Sequence, residues 1–493
     1  MAIAAAMVAG VVLGAPTLRL RGDYLAIVTL GFGEIVRIVA NNIDVTNGPR
    51  GVSSIPHPPP GPPGIDLGPL HVQFSLAPLP YIYLVILASF GAVALLTALQ
   101  RSRVGRAWIA IREDEDAAEV MGVPTYAMKL WSFAIGASTG GLAGALYASK
   151  AGYISPVNFE LLVSILILAA VVLGGMGSTA GVILGASAIA FLPEYFREFQ
   201  RYRVLVFGAA LVVLMVVRPQ GLLPSRRRAV ELVPSLPKDG GGAVLESSLP
   251  GNRPERVDVD LDLREALAEH PRTTAPDASA PVLRLERLGV TFGGVRALQG
   301  LDLEVRPGEI VSLIGPNGAG KTTVFNCVTG MARPSGGQIL FEGRSLTGRR
   351  PHRITRQGVA RTFQNIRLFS NMTALENVLV GSDARHHTSV PGALARSRRH
   401  RREEADGRAI ALALLDFVGI GARSSDVASN LSYGDQRRLE IARALATRPR
   451  LLLLDEPAAG MNPAEKRALV GLIRRIQGLG LTLLLIEHDM GLV

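Results

Sequence analysis

The stretch GPNGAGKTT, residues 315–323, has the residue types and spacing of a loop that binds phosphate groups. It fits the pattern G-x-x-x-x-G-K-[ST], follows an apolar run at 310–314 that predicts a buried strand, and leads into a helix-compatible segment at 323–328. Glycines let the backbone wrap around phosphate oxygens with its N–H groups directed at them, at a helix N-terminus that favours anions. An ordinary glycine-rich turn would not need the flanking strand and helix. We therefore predict a site for ATP and Mg²⁺.

The residues expected to contact the nucleotide are those of this phosphate loop: Gly315, Asn317, Gly318, Gly320, Lys321, Thr322 and Thr323. In a loop of this kind Lys321 reaches the β- and γ-phosphates, and the hydroxyl of Thr322 ligates Mg²⁺.

The composition divides the chain into two parts of different character. Of the 493 residues, 48% are hydrophobic, and long apolar runs fill the first 220 residues. A chain of this length usually holds about three domains. The formal net charge of +11 is more typical of basic cytoplasmic loops in a membrane protein than of nucleic-acid binding. The only cysteine, Cys327, excludes a disulfide within the chain. We expect an all-α polytopic membrane domain followed by an α/β P-loop NTPase domain.

The apolar runs of the first part predict about six membrane crossings. They lie at 2–18, 23–40 with a glycine break at 31–33, 81–99, 128–147, 161–173 with 182–192, and 204–217. Most basic loops then fall on one side, which is cytoplasmic because the nucleotide-binding part follows it. The loop with Arg197, Arg201 and Arg203 would lie outside. Either this loop lies at the membrane interface, or the pair of runs at 161–192 is re-entrant.

Residues 224–280 are rich in Pro, Gly, Ser and charged residues and lack apolar periodicity, which predicts a linker. If flexible, a linker of this length has a root-mean-square reach of roughly 40 Å. We therefore predict a membrane domain at 1–223, a flexible linker at 224–280 and a nucleotide-binding domain at 281–493.

From residue 282 onward, a series of motifs resembles the ATP-binding cassette (ABC) family. The run LLLLDEP at 451–457 predicts a buried strand that ends in two adjacent carboxylates. By this resemblance Asp455 positions Mg²⁺, and Glu456 is the general base that orients the attacking water. Gln364, in ARTFQNIRLF, matches the loop glutamine that reaches Mg²⁺ and faces the membrane partner.

Further residues match motifs of the same family. The segment LSYGDQRRLEIARAL at 431–445 resembles the signature motif, in which Ser432 and Gly434 contact the γ-phosphate bound to the opposite subunit. His488, in LLLIEHDM, matches the histidine that contacts the γ-phosphate, and Phe292 stands where an aromatic side chain stacks on adenine. Either residue alone is more typical of packing, but the complete series in order and spacing is specific to the family.

Both halves also resemble one transport system, the importers of branched-chain amino acids. VRALQGLDLEV, AAGMNPAEKRAL and IEHDMGLV are similar to its ATPase. RLRGDYLAIVTLGFGEIVRIV, GRAWIAIREDEDAAE, VVLGGMGSTAG and RPQGLL are similar to its permease. The resemblance implies a permease fused to its ATP-binding subunit, apparently truncated at both ends.

The charged loop at 101–124 has a mechanical role by this resemblance, because a short cytoplasmic helix of such permeases seats in a groove of the ATPase near the loop glutamine. Ala117 and Ala118 would form a small apolar knob with charged residues around it, namely Asp114, Glu115, Asp116 and Glu119. The alternative is a solvated helix at the membrane interface without a partner. We also expect the basic cluster at 396–402 to be solvated and partly paired with Glu403, Glu404 and Asp406.

Two features depart from the family pattern. Asp435 occupies the fifth place of the signature, where Gln is usual, and we expect this carboxylate to weaken ATP affinity or alter a ribose contact. Asn462 stands where many cassettes have Asp. Glycines at 31–33 and 174–181 are candidates for lining a solute site, although close helix packing explains such glycines equally well.

The implied function is ATP-driven import of branched-chain amino acids by a multi-pass protein of the cytoplasmic membrane, with its ATPase domain in the cytoplasm. The resemblance implies a second permease subunit, a second ATPase subunit and an extracytoplasmic solute-binding protein as partners. No nucleic-acid partner is expected. The alternatives are an ABC exporter half-transporter and a non-transport ABC ATPase, against which the short loop at 101–124 and the first 220 residues argue. Urea and short amides remain alternative solutes.

Overall fold

The computed structural model describes residues 1–18, 23–58, 78–195 and 280–487, with short pieces at 65–67, 70–72, 74, 208–209, 212–213, 216–217, 221–223 and 263. The chain divides into two compact units: a first unit of Met1–Thr97 with Lys129–Glu246, and a second unit of Ala98–Met128 with Ser247–Val493. The predicted domains differ from these units chiefly in residues 98–128, which pack with the nucleotide-binding part. The predicted linker lies outside the described residues, apart from Leu263 and Ala280.

Helices dominate the chain as far as residue 195. They are α1 (Ala2–Thr17), α2 (Asp23–Asn42), α3 (Pro78–Gln100), α4 (Arg103–Glu113), α5 (Glu115–Val120), α6 (Thr125–Ala151), α7 (Leu161–Gly174) and α8 (Thr179–Tyr195). Four short strands accompany them: β1 (Val52–Ser53), β2 (Ile65–Leu67), β3 (Leu70–Val72) and β4 (Tyr153–Ile154). β1 pairs with β4 and β2 pairs with β3, both antiparallel.

Among the described residues, two helical stretches are long and apolar enough to cross a membrane, judged by length and composition alone: Pro78–Gln100 and Pro156–Gly174. Ala2–Thr17 and Thr179–Phe191 are shorter apolar helices. The predicted number of about six crossings stays a prediction. The predicted glycine break in α2 is wrong, because the helix runs without interruption through Gly31 and Gly33. Glycine weakens a helix interior by only about 1 kcal/mol per residue, and the apolar sequence on both sides continues the helix.

The second unit contains two four-stranded sheets. The antiparallel sheet has the order β6-β5-β8-β9, and the parallel sheet has the order β10-β11-β12-β7. Their strands are β5 (Leu283–Phe292), β6 (Val295–Val305), β7 (Ile310–Leu313), β8 (Gly336–Phe341), β9 (Arg344–Ser345), β10 (Val359–Arg361), β11 (Leu451–Asp455) and β12 (Thr482–Ile486). The helices are α9 (Lys321–Val328), α10 (Pro351–Gln357), α11 (Ala374–Ser382), α12 (Val390–Leu394), α13 (Arg398–Phe417), α14 (Tyr433–Ala446) and α15 (Pro463–Gly478).

The two central strands of the parallel sheet are buried along their whole length. Their sequences, LLLLD and TLLLI, are continuously apolar apart from one end residue, as expected for strands covered on both faces. One hydrophobic cluster forms against α11, α13, α14 and α15, and a second forms with β5, β8 and α9. The predicted fold class, a helical part followed by an α/β domain, is confirmed.

The register of the parallel sheet brings several chain segments to one edge. Asp455 at the end of β11 pairs with Ile486 at the end of β12, and Ile486 pairs with Leu313 at the end of β7. Neighbouring strands lie about 5 Å apart. The phosphate loop, which follows β7, therefore begins at the same sheet edge as Asp455 and Glu456, two strand spacings or roughly 10 Å away across β12.

Candidate nucleotide site and docking segment

The phosphate loop connects β7 to α9 in the conformation that its glycines permit. Gly318 and Gly320 adopt positive φ angles of 83° and 82°. At Gly320 a Cβ would also meet the carbonyl oxygen of Ala297 on β6 at 2.6 Å. A side chain is therefore excluded there by both conformation and space.

Lys321 folds back across the loop. Its Nζ donates to the carbonyl oxygens of Gly315 at 2.7 Å and Pro316 at 2.8 Å. Asn317 and Gly318 are exposed, whereas Thr322 and Thr323 are half-buried in the first turn of α9. Gly320 precedes this turn and provides no side-chain cap, so the N–H groups at the start of the helix keep their capacity to bind an anion.

Asp455 is fully buried at the edge of the sheet and forms an ion pair with Arg361, whose Nη2 donates to its Oδ2 at 2.7 Å. The other carboxylate oxygen, Oδ1, is buried without a hydrogen-bond partner in the described structure. Burial raises the pKa of Asp455 above its usual value, although the Arg361 guanidinium works in the opposite direction. A buried acceptor without a partner is rare and indicates a place for a ligand.

This donor set fits Mg²⁺. The ion takes oxygen ligands and is usually held by one or two carboxylates together with substrate phosphates. The free Oδ1 of Asp455 and the hydroxyl of Thr322 are oxygen donors of this kind. Within the described residues no group of three or more His, Cys, Asp or Glu could hold a metal ion by itself.

Glu456 is half-buried and has a φ of 44°, in the left-handed region that non-glycine residues seldom adopt. Its backbone N–H donates to the carbonyl oxygen of Ile486 at 3.0 Å, which joins the turn after β11 to the end of β12. Such backbone conformations cost on the order of 1–3 kcal/mol and cluster at functional sites. The chain thus turns away from β11 at Glu456, the residue proposed as the general base.

Gln364 lies three residues beyond β10 and is exposed. Its segment is held by α14 through two side chains that the sequence analysis did not identify. Arg437 donates to the carbonyl oxygens of Phe363 at 2.6 Å and Gln364 at 2.8 Å. Glu440, paired with Arg437 at 2.8 Å, accepts from the N–H of Phe363 at 3.1 Å. The signature helix thus fixes the backbone of the loop glutamine.

The sequence analysis did not identify three buried charged side chains, because a sequence gives no signal that separates a buried charge from a surface one. They are Arg361, Arg437 and Glu440. Each belongs to a segment rich in Arg and Glu, and only the fold shows that their exposed fractions are 3%, 0% and 1%.

Phe292 ends β5, opposite Val295 in the β5–β6 hairpin. Its side chain is 54% exposed, so its ring is accessible for stacking. The same hairpin approaches the phosphate loop through Ala297, the neighbour of Gly320. The structure thus brings Phe292 to the hairpin beside the loop.

Ser432 and Gly434 lie at the start of α14, where they border a separate cavity of about 360 Å³ rather than the sheet edge. Ser432 is exposed, whereas Gly434 is buried, and a Cβ at Gly434 would meet Oε1 of Glu465 at 3.0 Å. His488 lies outside the described residues. The predicted roles of these residues and of the sheet-edge residues stay predictions.

The Asp435 carboxylate is engaged within its own helix end. It accepts a hydrogen bond from the Ser432 hydroxyl at 2.9 Å and pairs with Arg423 at 2.9 Å. Asp435, which stands where Gln is usual in the family, therefore keeps the Ser432 hydroxyl in a hydrogen bond.

Residues 98–128, which we call the docking segment, lie against the nucleotide-binding part of the second unit. Ala117 and Ala118 of α5 are fully buried. The hydroxyl of Thr355 on α10 donates to the carbonyl oxygen of Val120 at 2.6 Å. The prediction that this loop seats on the ATPase is confirmed, and the alternative of a solvated helix without a partner is wrong.

Charged contacts surround this apolar knob as predicted. Arg367, three residues beyond Gln364, pairs with Asp114 at 3.4 Å, and His352 contacts Glu119 at 3.2 Å. The docking segment therefore contacts the chain immediately after the loop glutamine.

A second, stronger contact was not predicted. Arg106 of α4 is 6% exposed and pairs with Asp383 at 2.8 Å and with Glu404 at 2.9 Å. Burial alone would lower the pKa of Arg106, but the two carboxylates outweigh it and raise the pKa. Burial would raise the pKa of Asp383, but Arg106 and His386 hold it below its usual value. The expected pairing of Glu404 with the basic cluster at 396–402 is corrected accordingly, whereas Arg399 does pair with Glu403 at 2.9 Å.

Two protein families match separate parts of the chain. The family described as branched-chain amino acid transport system / permease component matches residues 1–215, and the family described as ABC transporter matches residues 298–459.

Several proteins are similar to one half of the chain. The high-affinity branched-chain amino acid transport ATP-binding protein BraF of Pseudomonas aeruginosa is 48% identical over 216 residues, which are 44% of this chain and 85% of that protein. LivG of Escherichia coli, which carries the same description, has the same identity and coverage. The permease protein LivM of E. coli is 43% identical over 243 residues, so the chain spans 57% of that permease. A solved nucleotide-free ATP-binding cassette from an ABC transporter is 31% identical over 43% of this chain and 84% of its own, with a TM-score of 0.38.

Proposed function

Because this chain belongs to the ABC transporter family and joins a permease component to an ATP-binding component, we propose that it imports branched-chain amino acids across the cytoplasmic membrane by ATP hydrolysis. One observation supports coupling between the permease component and the ATP-binding component. The docking segment forms one compact unit with the ATP-binding component and is anchored there by the buried Arg106. Both halves are similar to proteins named for the same transport system.

The residues at the sheet edge divide the work of ATP hydrolysis. Lys321 and the N–H groups of the phosphate loop bind the phosphates, and the exposed Phe292 stacks on the base. Glu456 orients the attacking water and accepts its proton. Asp455, Thr322 and Gln364 would hold Mg²⁺, which would supply positive charge against the negative charge that develops on the phosphates. His488 contacts the γ-phosphate.

The signature residues Ser432 and Gly434 serve a second cassette. They line the cavity beside α14, whose lining includes no residue of the phosphate loop, and an opposite ATPase subunit supplies the nucleotide that they contact. The assembly accordingly includes a second ATPase subunit, a second permease subunit and a solute-binding protein on the outer face. In this proposal the membrane domain spans 1–223, the linker 224–280 and the ATPase domain 281–493, and the ATPase domain lies in the cytoplasm.

The test is hydrolysis in membrane vesicles that contain the full chain co-expressed with its partner subunits. Binding protein loaded with leucine should raise ATP hydrolysis, and Glu456→Gln should lower the stimulated rate by at least about 10²-fold while ATP still binds. Glu304→Gln, the same change at an exposed position on β6, is the matched control.

Two results would contradict the proposal. One is hydrolysis that persists in Glu456→Gln, which would remove Glu456 from the reaction. The other is equal stimulation by empty and loaded binding protein, with no leucine entering the vesicles, which would remove the importer function.

A further inference from the structure

A cleft of about 770 Å³ lies within the first unit, between α1, α2, α6 and the start of α7. Its walls are largely apolar, with Leu13 and Phe133 among them. The hydroxyls of Ser132 and Ser164 and the carboxylate of Glu34 also line it. A mostly apolar cavity with a few polar groups is the usual form of a small-molecule site.

The glycines around this cleft are of two kinds. At Gly10 and Gly141 a Cβ would meet the side chains of Ala137 and Ala6, both at 2.6 Å, so close packing of α1 against α6 requires these glycines. At Gly33, Gly136 and Gly140 no atom lies within 4 Å of an added Cβ. Helix packing within the described chain does not require these three. Their missing side chains widen the cleft instead.

Glu34 of the cleft wall forms an ion pair with Arg37, which lies one turn further along α2 and is not itself among the residues that line the cleft. Arg37 Nε donates to both carboxylate oxygens of Glu34 at 3.0 Å, and the two side chains are 29% and 33% exposed. Ionisable residues among apolar membrane helices are rare and typically mark a functional site. An isolated pair one turn apart on a helix contributes only about 0.3–0.5 kcal/mol, so an incoming charged ligand can replace either partner.

We propose that this cleft binds the transported solute as an L-amino acid zwitterion with a branched apolar side chain; this inference rests on the proposed function. The ammonium group of the solute pairs with Glu34, and its carboxylate takes the place of Glu34 at the guanidinium of Arg37. The apolar side chain lies against Phe133 and Leu13, over the backbone of Gly136 and Gly140. Urea and short amides carry neither charge and leave the Glu34–Arg37 pair intact.

The single native cysteine permits a direct binding assay on the full chain. Cys327 is 2% exposed, so Gly140→Cys in the cleft provides one reactive thiol for a maleimide. By mass action, leucine at about ten times its dissociation constant should slow labelling about tenfold. Lysine and urea should not slow it, and adding Glu34→Gln should remove the protection by leucine. Ser370→Cys, an exposed position in the second unit, is the control and should label equally with and without leucine.

Three results would overturn the inference. The first is a Gly140→Cys thiol that does not label in the assembled transporter, because a neighbouring subunit then fills the cleft. The second is labelling that leucine does not slow in a transporter that imports leucine; the proposed function would stand and the site would lie elsewhere. The third is protection that survives Glu34→Gln, which would contradict recognition of the ammonium group. Protection by leucine without leucine import would instead contradict the proposed function and leave the binding site in place.

Discussion

Asp435 lines the same cavity as Ser432 and Gly434 and acts on the Ser432 hydroxyl directly. Its carboxylate accepts a hydrogen bond from the Ser432 hydroxyl and pairs with Arg423. A hydroxyl already committed to a carboxylate is a weaker donor to a phosphate, and the carboxylate adds negative charge beside it. The expected weakening of ATP affinity thus has two physical causes.

Asp435→Gln should lower the ATP concentration for half-maximal hydrolysis several-fold, because it removes the charge and frees the Ser432 hydroxyl. The change in stability should stay below about 1 kcal/mol, since Arg423 is half-exposed and surface pairs contribute little. Steady-state hydrolysis against ATP concentration measures the effect, with Asp426→Asn on the preceding loop as the control. An unchanged Michaelis constant and turnover would show that Asp435 has no influence on the nucleotide.

Cys327 should resist alkylation in the folded protein. It lies inside α9, and burial raises its pKa to about 11. At pH 8 roughly one thiol in 10³ is then ionised, and only the thiolate is a nucleophile. Mass spectrometry after iodoacetamide treatment should find Cys327 unmodified in the native chain and modified in denaturant, whereas the added thiol of Ser370→Cys, at an exposed position, reacts in both. Reaction of native Cys327 at a comparable rate would mean that α9 opens readily.

At the scale of elements, α4 and α5 differ in how they hold the docking segment. The contact of α5 is a small apolar knob, whereas that of α4 is the buried ion pair between Arg106 and two carboxylates. Removing one partner of a buried pair leaves an uncompensated charge, which typically costs 3–5 kcal/mol. The anchoring of the segment therefore depends more on α4.

Arg106→Met should abolish stimulation of ATP hydrolysis by loaded binding protein while basal hydrolysis remains, because Asp383 loses its counter-ion and α4 leaves its seat. The ratio of stimulated to basal hydrolysis in vesicles measures this. Arg101→Met, an exposed arginine just before α4, should leave the ratio unchanged. A normal ratio in Arg106→Met would show that the α5 knob alone is sufficient for coupling.

Much of the fold and of the candidate site was predictable from local sequence. The run LLLLDEP and the apolar run before GPNGAGKTT each predicted a buried strand with functional residues after it, whereas the strand order that brings both to one sheet edge came only from the structure. The role of Arg106 could not be predicted, because Asp383 and Glu404 lie 277 and 298 residues away. The glycines at 31–33 and 174–181 were ambiguous for the same reason: only the structure shows that a Cβ at Gly174 would meet the carbonyl oxygen of Gly181 at 2.0 Å, whereas a Cβ at Gly33 would meet no atom within 4 Å.

For the whole molecule, the docking segment means that the two halves do not depend on the linker alone. Residues 98–128 come from the middle of the permease sequence, yet they pack in the second unit. A covalent linker and a docked segment thus connect the halves in parallel.

Cleavage at a protease site introduced at 240–242 should leave the two fragments together during purification in detergent, since the docking segment still binds the ATPase domain. Size-exclusion chromatography and gel analysis of the cleaved protein provide the measurement. Arg106→Glu in the cleaved protein should release the fragments, because it places like charges together in a buried site. Separation without that substitution would mean that the linker alone joins the halves.

The single polypeptide also fixes how the transporter is made. Ribosomes that synthesise this chain produce permease and ATPase in a one-to-one ratio, so neither accumulates as an orphan subunit. Covalently joined partners also meet at a higher effective concentration than two separate dilute proteins do.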